Sequence, residues 1–374
     1  MLYCEIKMKN LIFVHLFNDY SGSPAVLKNV IEISSQDENN QLTLFTSNHS
    51  GFLDELNCSI VRKSIFYVKS SNKIIQLLFF LIAQIHLFFS VFIFLIKKKR
   101  DNNIVFINTL LPFGAALAAK LCSAKIVYYL HEVSISPRPL FDFLRFIMYK
   151  TVTEQIFVSS FVKDALCKVN SKYIVIHNSI SESLSKESQR VNISQKDKFI
   201  NKNILFVGSL KKYKGIDVIR TLAEKIPEFN FTVVLNCTKK ELCEYLDGKC
   251  TISNIQYISR PENISDYYTG AFCVLNLSLP DQCVETFGLT LLEGMAFYTP
   301  VLAPPVGGPT EFVTNKCGKL VSSYCINDIC MFLNYLASDF HIWKTYSDEA
   351  YIQSLNYTYE TFQNNILAFN KSLK

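Results

Sequence analysis

Charge is scarce in this sequence: Asp, Glu, Lys and Arg make up 19% of its 374 residues, against 49% hydrophobic. Global disorder is thereby excluded, because there is ample apolar side chain for folded cores. Histidine is rarer still, at 6, and the 12 cysteines run from Cys4 to Cys330 without a C-x-x-C pair. No zinc-ligand spacing exists, and the cysteines read as reduced, mostly buried thiols. The chain lacks a basic arm or a Lys/Arg-rich tail, and its net charge is only +6. A nucleic-acid partner is not expected, whereas an anionic ligand or membrane surface stays open. The loop Asn18-Asp-Tyr-Ser-Gly22-Ser-Pro24 is not G-x-G-x-x-G, which argues against a nicotinamide or flavin dehydrogenase. No fixed-period repeat and no paired-Asp metal site appear, so neither a solenoid nor a metal cofactor is expected. The apolar run 11–17 leads directly into Asn18 and Asp19 without a small-residue cleavage site. Residues 1–7 read as a leader before the first strand, with Met1 and Met8 as equivalent starts, and a cytoplasmic location is expected.

One segment strains that picture. Residues 74–96 contain no Asp, Glu, Lys or Arg and end in Lys97, Lys98, Lys99 and Arg100. As a helix they span roughly 35 Å, enough to cross a bilayer core. Flanking strands and helices of one domain argue against a crossing, which would cut that domain in half. Gln76, His86 and Ser90 form a thin polar stripe on the wheel. The reading is a domain helix that also dips into the membrane interface, its basic end on anionic headgroups. A wholly buried core helix and a true span are the alternatives.

At ~100–200 residues per domain the length suggests two domains. In the first half, strands are expected over 11–16, 42–46, 104–107, 126–130, 155–158 and 173–176. Helices are expected over 25–32, 74–96, 113–121 and 161–169, the last capped by Ser160. Residues 181–202 are almost all polar and read as an interdomain linker. The second half restarts the rhythm. Strands over 203–207, 231–235, 255–258, 272–275 and 301–303 alternate with helices over 216–225, 240–246, 264–269, 289–296 and 310–313. Helices over 327–337 and 361–371 follow. The architecture expected is α/β: two doubly wound, Rossmann-like domains facing a cleft.

The most informative stretch is Glu285-Thr-Phe-Gly-Leu-Thr-Leu-Leu-Glu293-Gly-Met-Ala. Glu293 lies inside an apolar run, where a carboxylate needs donors to accept from. Gly288 opens the helix and frees backbone amides for an oxygen-rich ligand, and two carboxylates at this spacing can each grip vicinal hydroxyls.

This passage resembles the E-x7-E signature of family 4 retaining glycosyltransferases of the GT-B fold, followed by Thr299-Pro-Val301 and Gly307-Gly-Pro-Thr-Glu311 as in that family. Upstream, Leu205-Phe-Val-Gly208-Ser209-Leu-Lys211-Lys212-Tyr-Lys214-Gly215 resembles its strand-to-loop motif. Tyr129-Leu-His131-Glu132 resembles its strand-end histidine, and Tyr20-Ser-Gly22-Ser-Pro24 its glycine-rich first loop. The resemblance covers most of the chain. It implies an acceptor-side domain over 1–180, a nucleotide-sugar donor domain over 203–358 and a last helix, 359–374, packing back on the first domain.

Carried over by residue, the resemblance implies that Glu293 binds ribose hydroxyls and Glu285 the transferred sugar, assisted by the backbone at Phe287, Gly288 and Leu289. Lys214 would neutralise the diphosphate, as a leaving group gaining negative charge requires. Ser209, after Gly208, stands where the family often has arginine, so Lys211 or Lys212 is the expected second cation. His131 would lie beside the donor sugar, Gly22 would let backbone approach the phosphate and acceptor, and Arg260 would lie near the nucleobase. Gly307 and Gly308 are either amide donors to an anion or a structural loop. The implied activity is metal-independent, retaining transfer of a hexose-type sugar to a hydroxyl of a growing, lipid-linked glycan, on the cytoplasmic face of the membrane. Bacterial surface polysaccharide, lipopolysaccharide or O-antigen assembly is the implied context. A nucleotide-sugar epimerase of similar architecture, or a non-catalytic membrane-associated binding protein, is the competing reading.

Overall fold

The structure is a computed structural model that describes residues 8–98, 102–168, 171–190 and 194–373. Lys99 and Arg100 of the basic cluster, and the leader 1–7, lie outside the described residues. The chain forms two compact units, one comprising the residues up to His177 with those from Gln363 onward, the other Asn178–Phe362.

The first unit contains β1 (Lys9–Val14), α1 (Gly22–Ser34), β2 (Asn40–Ser47), β3 (Val61–Ile65), α2 (Lys73–Lys97), β4 (Asn103–Asn108) and α3 (Phe113–Leu121). It continues through β5 (Lys125–Leu130), α4 (Arg138–Thr151), β6 (Glu154–Phe157), α5 (Ser160–Leu166) and β7 (Lys172–Val175). The strands form one seven-stranded sheet, β3-β2-β1-β4-β5-β6-β7, parallel throughout. β4 is buried at every position, the signature of a strand covered by helices on both sheet faces. Strand order reverses between β1 and β4, and a doubly wound sheet places ligands outside the strand ends at such a point.

The second unit runs through α6 (Glu182–Arg190), α7 (Gln195–Asn201), β8 (Asn203–Gly208), α8 (Ile216–Lys225), β9 (Asn230–Leu235), α9 (Lys239–Leu246), β10 (Ile255–Ser259) and α10 (Ser265–Thr269). β11 (Cys273–Leu275), α11 (Leu289–Ala296), β12 (Val301–Ala303), β13 (Gly318–Leu320), α12 (Ile326–Ala337), α13 (Phe340–Ser354) and α14 (Tyr359–Ser372) complete the chain, α14 giving its part from Gln363 onward to the first unit. The parallel sheet is ordered β10-β9-β8-β11-β12-β13, and reverses between β8 and β11. Both units are thus Rossmann-like α/β domains.

Several expectations are corrected. Residues 181–202 are no bare linker: α6 and α7 form there, and both fall within the second unit. The polar composition misleads because Lys198 is buried, its ammonium donating to the Phe297 carbonyl and, at 2.7 Å, to Thr299 Oγ1. The cap of α5 is Ser159 rather than Ser160, its hydroxyl accepting from the Val162 amide. The expected helix over 310–313 is a 3-10 turn, Gly308–Glu311. Helices α4 and α13 and strands β3 and β13 were not expected; β3 exposes four of its five residues and β13 has only three, leaving little pattern to read.

Helix α2 is capped by Asn72, which accepts from the Ile74 and Ile75 amides. Its buried stripe, Phe80, Ala83, Gln84, Leu87, Val91 and Leu95, has helical spacing. Gly114 of α3 comes so close that an added Cβ would lie 2.1 Å from the Gln84 carbonyl oxygen. The polar stripe of the wheel meets the segment before the helix: Gln76 accepts from the Ser70 amide and His86 from the Phe66 amide. Much of the remaining surface is uncovered, with Ile74 80%, Ile85 59% and Ile96 59% exposed. The buried-core alternative therefore does not hold, although the helix is long and apolar enough to cross a membrane.

Candidate functional site

In the second unit, Lys214 follows β8 and Asn276 follows β11, the two strands that flank the reversal of strand order. Lys214 Nζ lies 2.8 Å from Glu285 Oε2, and Asn276 Nδ2 donates to the same oxygen at 3.2 Å. Burial alone would lower the Lys214 ammonium, but the charge of Glu285 outweighs it and holds the group above its ordinary value. Burial likewise opposes ionisation of Glu285, yet Lys214 and Asn276 hold its carboxyl below the usual range. The result is a fixed cation and a fixed carboxylate at one strand-end edge.

Backbone close approach builds this edge. Gly215 has φ +83°, and a Cβ there would lie 2.1 Å from the Leu277 carbonyl oxygen, so only glycine lets the Lys214 turn pack on the segment that follows β11. Gly307, at φ +91°, would put a Cβ 2.2 Å from the Glu285 carbonyl oxygen, and the Gly308 amide donates to that same oxygen at 2.8 Å. Of the two readings for this glycine pair, the structural loop is the one observed: it holds Glu285 in place.

Gly288, at φ +101°, precedes α11, with Leu289 its first residue. Phe287 is a core side chain, packed against Phe312 and Tyr357, so its ring is not available to a ligand. Glu293 lies in the second turn of α11 and accepts from the Tyr268 hydroxyl at 2.5 Å. Burial pushes its carboxyl up to about 7, partly offset by that hydrogen bond.

The remaining predicted residues divide. Asn236 joins two of them, its amide donating to the Gly208 carbonyl at 2.8 Å and its side chain accepting from Arg260 Nε at 2.9 Å. Arg260 adopts φ +39°, and its amide donates to the Leu235 carbonyl at the end of β9 at 3.1 Å. Ser209 and Lys211 close the turn before Lys214 through the Lys211 amide on the Ser209 carbonyl and the Lys214 amide on the Lys211 carbonyl. Lys212 lines a different hollow of about 380 Å³ with Leu210, Ile216, Glu241, Glu244 and Tyr245.

In the first unit, Gly22 opens α1, and a Cβ added there meets nothing within 4 Å. The fold does not demand glycine at this position. His131 follows β5, and its Nε2 is 2.8 Å from Asn108 Oδ1, while Asn108 Nδ2 is 3.0 Å from His15 Nδ1. Burial holds both rings neutral, His15 down at about 4 and His131 at about 3 with help from His15. Glu132 accepts from the Leu110 amide at 2.8 Å, and burial pushes its carboxyl up to about 7. Asn108, His15, Asn276 and Tyr268 escaped the sequence reading. For the two asparagines a usable signal existed: each ends or follows an apolar strand, at the strand-end edge where doubly wound sheets place ligands. Among the described residues no cluster of three His, Cys, Asp or Glu side chains suits a metal ion.

Residues 185–339 match the family model described as glycosyl transferases group 1, and the chain carries a domain of that family. An uncharacterized glycosyltransferase of Haemophilus influenzae is 30% identical over 174 residues, covering 44% of this chain and 47% of that protein. The chain spans about half the length of the curated relatives it matches. Anabaena HepE, solved with UDP and glucose, aligns with a TM-score of 0.75 at 17% identity over 97% of this chain and 99% of that one. A glycosyltransferase of Rickettsia africae aligns with a TM-score of 0.71 at 18% identity over 98% of both. At these identities the likeness establishes the fold, that of GT-B glycosyltransferases.

Proposed function

We propose that this protein is a glycosyltransferase that moves a hexose-type sugar from a nucleotide-diphosphate donor to a hydroxyl of a growing glycan, with retention at the anomeric carbon. The observation that carries this reading is the Lys214–Glu285 pair, braced by Asn276 where strand order reverses. When the bond from the anomeric carbon to the phosphate breaks, negative charge grows on the leaving diphosphate, and a preorganised cation stabilises it. Lys214 fills that role without a metal. Glu285 is placed to accept from sugar hydroxyls and Glu293 from ribose hydroxyls, with the amides at Gly288 and Leu289 facing oxygen-rich groups. The acceptor hydroxyl forms the new bond to the anomeric carbon, and its proton passes to the departing phosphate oxygen on the same face. Structures of Anabaena HepE with UDP and with UDP-glucose support the choice of donor class.

The acceptor is proposed to be lipid-linked, in bacterial surface polysaccharide or lipopolysaccharide assembly, reached from the cytoplasmic face. Support comes from α2, whose uncovered side carries Ile74, Leu78, Leu81, Ile85, Phe89 and Ile96, far more than scattered surface apolar residues supply. Helix α4, which packs on α3 as α2 does, carries exposed Phe143 and Phe146, with Lys150 over the Phe146 ring. Lys97 and Lys98 stand at the end of α2. Apolar side chains rimmed by cations suit the boundary of an anionic bilayer. Both strands joined by α2 belong to one sheet, which favours a helix lying on the membrane over one spanning it.

The test is release of nucleoside diphosphate from a panel of nucleotide sugars, with and without lipid-linked and soluble glycan acceptors. Acceptor-dependent release with a product heavier by one sugar supports transfer. Conversion of donor without an acceptor would instead favour an epimerase.

A further inference from the structure

At the other reversal point, in the first unit, a single amide holds two imidazoles. Asn108 ends β4, His15 follows β1 and His131 follows β5, so adjacent strands bring the three together. Asn108 is fully buried, and its Nδ2 lies 3.3 Å from the Ser23 carbonyl oxygen as well as 3.0 Å from His15 Nδ1. A carbonyl oxygen only accepts, so the amide nitrogen must face Ser23, and the Asn108 oxygen must face His131. That oxygen also only accepts. His131 must therefore carry its proton on Nε2, 2.8 Å away, and keep a lone pair on Nδ1. By the same reasoning His15 accepts at Nδ1 and carries its proton on Nε2. The burial of both rings agrees with their being neutral.

We infer that Asn108 is a positioning residue that locks His131 in the Nε2–H tautomer, so that Nδ1 is offered to substrate as a hydrogen-bond acceptor for a sugar hydroxyl. The lock is set by a main-chain group: the Ser23 carbonyl, beside Gly22 at the start of α1, orients the amide, and the amide orients both rings. A substrate lacking the hydroxyl at this position would leave a polar site unpaired and would be used poorly. The inference rests on the proposed sugar-transfer reading for its substrate, but the tautomer itself is a property of the protein alone.

The test is long-range 1H–15N correlation on full-length protein labelled at histidine, at pH 8, with His131→Gln and His15→Gln providing the assignments. Wild type is expected to show both rings neutral and protonated at Nε2. Asn108→Asp offers only acceptors, so His131 keeps Nε2–H while His15 moves its proton to Nδ1. Asn108→Leu removes the lock, and His131 becomes a mixture of tautomers. In transfer assays Asn108→Leu is expected to lose roughly tenfold more kcat/KM than Asn108→Asp. A purely packing role predicts the opposite order, because the aspartate adds a buried charge and the leucine does not. If Asn108→Leu does not fold, the proton shift at His15 in Asn108→Asp still decides. Wild-type His131 protonated at Nδ1, or the aspartate variant losing more than the leucine variant, overturns the inference. A correct tautomer pattern in a protein that transfers no sugar upholds the lock and overturns the function reading instead.

Discussion

Lys214 and Glu285 are 71 residues apart in sequence and form an ion pair at 2.8 Å, both side chains 23% exposed. Lys214 lies in a 3-10 turn after β8 and Glu285 in the loop between β11 and α11, and beside each a glycine presses against a carbonyl, Gly215 on Leu277 and Gly307 on Glu285 itself. The pair is thus held by backbone packing as much as by attraction, the arrangement a charge-stabilising site requires.

Lys214→Ala is expected to reduce turnover about 10²- to 10³-fold, the usual loss when one transition-state charge partner is removed. It also leaves the Glu285 carboxylate uncompensated, so stability falls, by about 1–3 kcal/mol given the partial exposure. The double variant Lys214→Ala/Glu285→Gln should regain that stability without regaining turnover. Steady-state kinetics with thermal denaturation checks both parts.

In the proposed reading Glu293 accepts a pair of ribose hydroxyls and must be ionised to do so, and burial pushes its carboxyl up to about 7. Affinity for UDP, measured calorimetrically, should therefore rise from pH 6 to pH 8 in wild type. In Glu293→Gln it should be weaker and flat over that range. Glu293→Ala should lose most turnover and remain folded, because Tyr268 stays packed on Phe297.

Glu132 is raised by burial from its ordinary 4.5 to about 7. The folded state then binds a proton that the unfolded chain has released, so this stabilisation is complete below about 4.5 and is lost as pH rises through 7. Relative to Glu132→Gln, wild type should lose on the order of 1–3 kcal/mol between pH 4.5 and pH 8. Urea titrations across that range measure it.

Two glycines are expected to respond in opposite ways to alanine. Gly307→Ala forces a Cβ to within 2.2 Å of the Glu285 carbonyl at positive φ, and should cost several kcal/mol together with most activity. Gly22→Ala meets open space at the start of a helix and should leave the melting temperature unchanged or slightly raised. If its activity falls all the same, the loop around Gly22 meets substrate.

Sedimentation with anionic vesicles at low salt tests the membrane reading. Wild type should bind. Replacing Ile74, Leu78 and Ile85 with Gln, at positions exposed in the fold, should abolish binding while sparing transfer to a soluble acceptor. Loss of binding in high salt would be partial, because the apolar part of the contact is not screened.

Much of this was legible in the sequence because most strands are buried on both faces and read as short apolar runs between turn residues. Helices α8 and α11 run as expected, over Ile216–Lys225 and Leu289–Ala296. What escaped was tertiary in origin. Lys198 looks like a linker residue until the Phe297 carbonyl and Thr299 satisfy its ammonium. The hydrophobic wheel of α2 marks Gln76, His86 and Ser90 as polar, yet the glutamine that faces the core is Gln84, bonded to the Gly114 amide at 3.0 Å. At the sites, the motifs pointed to Glu285, Glu293, Lys214 and His131. Their partners Asn276, Tyr268 and Asn108 come from other elements, and only the sheet order brings them within reach.

The most direct measurement is the mass and anomeric configuration of the product made from a nucleotide-sugar panel by wild type, Lys214→Ala and Glu293→Ala, each verified as folded. The account predicts one added sugar with the donor's configuration, released nucleoside diphosphate in equal amount, activity without added metal, and near-total loss in both variants. Inverted product, full dependence on manganese, or wild-type rates from both variants would contradict it.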